Sequence, residues 1–218
     1  MKLKFTIIAS IAVLLPSISF AEISINTFPS WDGTTSVGSF GEPNTATYGQ
    51  TFLAPATDPV MTSFTFVMND FLNSDFVDFE AHVYAWDGTK ATGAALFSSG
   101  TLVSTNNAGT DGFEYITVNT GSLALVPNSS YVAFFSASNY FDSIDGTSSW
   151  GLLTSDEYPD GGFVYSNNGS DFGQLTTNDW STFGGTDLAF RIGAVPELST
   201  VGLLGLAFAG LSLSRRRK

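Results

Sequence analysis

The 218-residue chain has a single histidine, His82, within Phe79-Glu80-Ala81-His82-Val83-Tyr84-Ala85-Trp86. Strict alternation puts Glu80, His82, Tyr84 and Trp86 on one face of a strand, and Phe79, Ala81, Val83 and Ala85 on the other. A Tyr/Trp platform beside a carboxylate and an imidazole suits stacking on a pyranose ring and hydrogen bonding to its hydroxyls. These four are the candidate ligand-binding residues. The competing reading packs Tyr84 and Trp86 beneath a loop or into the core, because aromatic rings supply so much burial. A Ser-His-Asp triad would have to use His82, and the chain has no Gly-x-Ser-x-Gly elbow. A lone strand histidine reads as structural, so no catalytic residue is assigned.

Glycoside hydrolysis needs two carboxylates facing each other across a cleft. Glu80 and Glu114 are the acidic residues most clearly placed on strands, but sequence does not give their separation. Hard oxygen ligands cluster in Asp142-Ser143-Ile144-Asp145-Gly146, Asp156-Glu157-Tyr158-Pro159-Asp160 and Asn167-Asn168-Gly169-Ser170-Asp171. None follows the twelve-residue calcium loop. The expected cofactor is none, with calcium the candidate cation and no ligands assigned. The chain contains no cysteine, which excludes thiolate zinc sites, disulfides and a cysteine nucleophile. It has no phosphate-binding glycine motif and no dinucleotide fingerprint.

The elements that must carry these residues are strands. Phe64, Phe66 and Met68 alternate with Ser63, Thr65 and Val67; Phe113, Tyr115 and Thr117 with Glu114, Ile116 and Val118; Leu188, Phe190 and Ile192 with Ala189 and Arg191. Tyr131 to Phe135 is apolar on both parities and predicts a central strand. Turn signals punctuate the runs at Trp31-Asp32-Gly33, Trp86-Asp87-Gly88, Asp111-Gly112, Asp145-Gly146, Pro159-Asp160-Gly161-Gly162 and Asn168-Gly169. The Trp-Asp-Gly triplet recurs without similar flanks, so there is no convincing internal repeat. Residues 136–183 read as loop-rich, with weaker strands near Trp150 and Phe163. The pattern predicts an all-β fold, a single jelly-roll-like β-sandwich.

Apolar residues make up 43% of the chain and charged ones 13%. Twenty Phe, seven Tyr and four Trp supply a core that a solvated coil would lack. Between Glu22 and Ala194 two basic residues, Lys90 and Arg191, stand against 19 acidic ones, a net of −17. Such a field repels phosphate backbones, so nucleic-acid binding is not expected.

The two ends read as addresses. Lys2 and Lys4 precede the apolar run Phe5–Leu15, and Ser19-Phe20-Ala21 offers small residues to a signal peptidase. Cleavage is expected between Ala21 and Glu22. At the other end Val195-Pro196-Glu197 precedes a largely apolar stretch from Leu198 to Leu213 and the basic cluster Arg215-Arg216-Arg217-Lys218. As a helix this stretch would span about 24 Å at roughly 1.5 Å per residue. That is short of a hydrocarbon core of about 30 Å, with snorkelling basic side chains making up part of the difference. The basic cluster stays cytoplasmic, leaving residues from Glu22 onward outside.

This tail resembles the PEP-CTERM sorting signal of Gram-negative bacteria. The matching residues are Val195-Pro196-Glu197, the Gly-rich run Val201–Leu211 and the basic end, with Leu198 where the family usually has a second proline. The resemblance implies recognition by an exosortase, a membrane transpeptidase-like protease, cleavage near Pro-Glu, and delivery to the cell surface in company with exopolysaccharide and biofilm gene sets. Tyr48–Phe135 also looks like the exported β-sandwich domains found ahead of such tails, which have no assigned activity.

The expected organisation is a signal peptide over 1–21, an acidic β-sandwich over 22–194 and a sorting tail over 195–218. An N-terminal signal helix and a C-terminal transmembrane helix over 198–214 would flank the sandwich. The expected function is that of an exported, non-enzymatic surface or matrix protein associated with exopolysaccharide. The expected partners are exosortase, signal peptidase and extracellular polysaccharide. The alternatives are a secreted polysaccharide-active hydrolase and a purely structural surface protein. The expected location is an inner-membrane intermediate, then the cell surface or the extracellular space.

Overall fold

A computed structural model describes residues 23–57, 59–71 and 77–196. The signal segment 1–21 with its Ala21–Glu22 junction lies outside the described residues. So do Glu197, the apolar stretch 198–214 and Arg215, Arg216 and Arg217. Among the described residues no helix is long and apolar enough to cross a membrane.

The strands are β1 (Ile23–Asn26), β2 (Ser36–Glu42), β3 (Thr47–Leu53), β4 (Pro59–Asn69), β5 (Asp78–Trp86), β6 (Ala91–Val103), β7 (Glu114–Ala124), β8 (Ser130–Ser136), β9 (Gly146–Leu153), β10 (Gly162–Ser166), β11 (Ser181–Thr182), β12 (Asp187–Leu188) and β13 (Phe190–Pro196). They form two antiparallel sheets packed as a β-sandwich. The six-stranded sheet runs β11-β10-β3-β8-β5-β6. In the seven-stranded sheet β4 pairs with β7 on one edge. Its other edge is shared by β13 along most of its length and by β9 at Met68 and Asn69. β9 pairs in turn with β2 and β12, and β1 adds to the outer edge of β13.

Alternation explains the core. Phe79, Ala81 and Val83 of β5 point between the sheets, where they join Phe40, Tyr48, Phe64, Phe66, Phe135 and Trp150 in one buried cluster. Phe79 stacks on Phe135 with ring centroids 4.7 Å apart, and Trp150 lies 5.1 Å from both Phe66 and Phe135. A polar link also crosses the core. The fully buried Gln50 of β3 donates from Nε2 to Asp187 Oδ1 at 2.7 Å and accepts from the Leu188 backbone N–H at 2.9 Å.

β8, apolar on both parities, lies between β3 and β5 and is buried on both faces. β4 is covered on both faces as well, since Val67 packs with Leu153 and Ala189 on the side away from the sandwich core. In β7 the inward set is Ile116 and Val118, while Tyr115 stands 59% exposed, its ring meeting Phe28 edge-on. The two Trp-Asp-Gly triplets make the same turn. Asp32 Oδ1 accepts from the N–H groups of Thr34 and Thr35, and Asp87 Oδ1 from those of Thr89 and Lys90. These donors hold both carboxyls well below the ordinary aspartate range, with the Thr35 hydroxyl contributing most at Asp32. The last strand runs past the expected domain edge at Ala194. Val195 and Pro196 pair in register with Val60 and Pro59.

Candidate functional site

The outward face of β5 carries Glu80, His82, Tyr84 and Trp86 together, as the alternation requires. The face is not an open platform, because a returning segment over residues 166–186 roofs it. Phe172, Leu175 and Trp180 of that segment pack with Tyr84, Trp86, Val132, Phe134 and Val164 in a second apolar cluster outside the sandwich core. Tyr84 is left 8% exposed and His82 3%. The His82 ring lies between Phe134, at 5.1 Å, and Phe172, at 4.9 Å. Trp86 meets Trp180 edge-on at 5.6 Å.

The roof is pinned at both ends. Asn168 is buried and accepts from Thr47 Oγ1 while donating to Ser138 Oγ, and Ser138, Ser136 and Thr47 hydroxyls close the ring of hydrogen bonds. At the far end the Trp180 backbone N–H donates to the Thr89 carbonyl at 2.8 Å, and Lys90 Nζ lies 3.5 Å from Asp179. Gly49 sits under the roof on β3. A Cβ there would come within 2.8 Å of Phe134 Cβ and 3.0 Å of the Ala133 carbonyl oxygen.

The roof leaves the Glu80 end of the row accessible. The Glu80 side chain is 25% exposed. Its Oε1 accepts from the Tyr140 hydroxyl at 2.9 Å and its Oε2 from Asn139 Nδ2 at 3.3 Å. Thr101 Oγ1 lies 2.9 Å from the same Tyr140 hydroxyl. His82 Nδ1 lies 2.9 Å from Ser98 Oγ. Its Nε2 approaches Glu80 Oε2 to 3.3 Å without hydrogen-bond geometry. Burial lowers the His82 pKa below the ordinary histidine value, against the opposing pull of the Glu80 charge. The imidazole is therefore neutral at pH 7.

The other candidates separate. Glu114 lies in the seven-stranded sheet and accepts from Ser104 Oγ and from the N–H and hydroxyl of Thr105, so it does not face Glu80 across a cleft. In two of the oxygen-rich turns a carboxylate is taken by a local donor. Asp142 Oδ1 accepts from the Ile144 N–H, and Asp171 Oδ1 from that of Gly173. Asp187 takes the N–H groups of Glu157 and Tyr158. Among the described residues no three His, Asp or Glu side chains converge on a point. Ser98, Thr101, Asn139 and Tyr140 join the site without any sequence signal, since each reaches it by strand pairing or a one-turn 3₁₀ segment, Ser138–Tyr140.

No protein-family model matches the chain, and no curated protein matches it. Among solved structures, a variant of the clostridial cysteine protease Cwp84 after propeptide cleavage superposes with a TM-score of 0.52 at 11% identity, over 81% of this chain and 40% of that one. Another is described as the cysteine protease and lectin-like domains of Cwp84, a surface layer associated protein of Clostridium difficile. It has a TM-score of 0.45 at 13% identity, over 71% of this chain and 33% of that one. The first likeness is one of fold. The chain spans about 40% of that structure's length. It has no cysteine, hence no counterpart of the nucleophile in the other protein's name.

Proposed function

We propose that this chain is an exported cell-surface or matrix protein that holds a neutral extracellular polysaccharide at the Glu80 end of its six-stranded sheet. The observation that carries the reading is the part-exposed Glu80 carboxylate, oriented by Tyr140 and Asn139, with the Thr101 hydroxyl at the same Tyr140. Acceptors and donors fixed at a part-open rim are what a polyhydroxylated ring requires. The acidic field of the domain disfavours polyanionic polymers and leaves neutral ones.

Topology supports the same reading. The orders β2-β9-β4-β7 and β3-β8-β5-β6 are those of an eight-stranded jelly roll, a frame shared by lectin domains. The chain leaves the sandwich beside the Leu53–Pro59 connection, where Pro196 pairs with Pro59. Glu80 aligns with Ser136 and Thr47 at the opposite end. A tail held at a membrane would thus present the Glu80 end outward. In this reading signal peptidase cuts after Ala21, and exosortase acts at the Val195-Pro196-Glu197 tail in a Gram-negative envelope. Glycosidic bonds are, in this reading, held and not cut, which the separation of Glu80 from Glu114 supports.

Fractionation with intact-mass analysis, in cells with and without exosortase, tests the sorting. The expected product lacks residues 1–21 and the basic end and appears outside the cytosol. A cytosolic product retaining Met1 and Lys218 would overturn it.

A further inference from the structure

We infer that Ser98 is an activated nucleophile, part of a Ser98–His82–Glu80 chain able to transfer acyl groups from esters. Ser98 lies on β6, the edge strand of the six-stranded sheet, and is exposed to solvent. A bulge sets its position. Glu80 pairs with Thr101 and His82 with Ser98, so Ser99 and Gly100 together oppose Ala81. Gly100 supplies the left-handed φ of 83°, and Ser99 Oγ accepts the Ala81 N–H at 3.0 Å. Bulges of this kind re-aim a side chain at the margin of a sheet.

The three groups stand in the order that nucleophilic catalysis needs: a hydroxyl 2.9 Å from an imidazole nitrogen, and a carboxylate 3.3 Å from the other nitrogen. The loose angle at Nε2 is usual before substrate binds. Glu80 is itself held by Tyr140 and Asn139, which act as positioning residues. His82, shielded by Phe134 and Phe172, is a neutral base at pH 7.

The reaction is balanced with water as the second substrate. Ser98 Oγ attacks the ester carbonyl carbon while its proton passes to His82 Nδ1. The C–O bond to the alcohol breaks, and the leaving oxygen takes that proton. Water then attacks the acyl-serine, gives its proton to His82 and releases the acid as Ser98 recovers the proton. Glu80 Oε2 faces the ring Nε2–H throughout, and its charge favours the imidazolium each time that forms. The substrate class is an acyl ester of a hydroxylated compound. Breaking such an ester leaves glycosidic bonds intact and needs no polymer bound at Glu80.

The test treats the full chain with a fluorophosphonate and reads the adduct by intact mass and peptide mapping. One adduct on Ser98 is expected, none in Ser98→Ala, and labelling at least about a hundredfold slower in His82→Gln. In the unaltered chain the labelling rate should rise with pH through one ionisation below about 6.5, the ordinary histidine value. This readout stands even if His82→Gln fails to fold. Absence of an adduct, an adduct elsewhere or a pH-independent rate would overturn the inference.

Discussion

The indoles of Trp86 and Trp180 meet edge to face with centroids 5.6 Å apart, and this contact closes the outer face of the six-stranded sheet. Trp180 is 8% exposed, donates from Nε1 to the Leu175 carbonyl, and lies 5.2 Å from Phe134. Trp180→Ala should cost about 3–5 kcal/mol, the usual range for a buried large aromatic. Calorimetry reads the loss. The emission of the three remaining tryptophans should shift to the red as Trp86 loses its cover.

Gly49→Ala tests how tightly the roofed face is packed. Strand propensity favours alanine, but the added methyl would press on Phe134 and the Ala133 carbonyl within the central ladder. We expect a loss of about 1–3 kcal/mol from overpacking. An unchanged denaturation midpoint would show that β3 and β8 can part at no cost.

His82 makes stability depend on pH. Its pKa in the folded chain lies below the unfolded value near 6.5, chiefly because burial disfavours the cation. The unfolded chain therefore takes up the proton first. Stability is full above about 6.5 and falls as the pH drops toward the folded pKa. Urea titrations at pH 7.5 and 5.5 should show this loss in the unaltered chain, and a smaller one in His82→Gln.

How far the sequence disclosed this arrangement depends on the range of each contact. The alternation of β5 correctly separated Phe79, Ala81 and Val83 from Glu80, His82 and Tyr84, and the two-sided apolar run 131–135 marked the central strand. Both follow from the pleat alone. Aromatic burial already allowed Tyr84 and Trp86 to lie beneath a loop, and they do. Which residues form that roof was not legible, because Phe172, Leu175 and Trp180 are spaced among Gly, Thr and Asn with no regular period. The roof turns what alternation presents as an open row into one covered at His82 and Tyr84 and part-open at Glu80 and Trp86. Ser98 and Tyr140 were invisible for a different reason. A bulge and a short 3₁₀ turn bring them to Glu80 and His82, and neither leaves a mark in spacing.

Asp187 joins the two sheets through a carboxylate that accepts Gln50 Nε2 and the N–H groups of Glu157 and Tyr158. Burial raises its pKa against the pull of these donors. Asp187→Asn turns one oxygen into an N–H₂ facing N–H donors, and should cost about 1–3 kcal/mol. Thermal unfolding measures this. Limited proteolysis within 154–161 should accelerate as the pinned loop is freed.

Polymer binding at the Glu80 end is tested most directly by native electrophoresis of the full chain through gels containing neutral polysaccharides. The unaltered chain should be retarded by at least one polymer, Glu80→Gln and Tyr140→Phe clearly less, and Trp86→Phe equally. Retardation by no polymer, or equal retardation of Glu80→Gln, would contradict it.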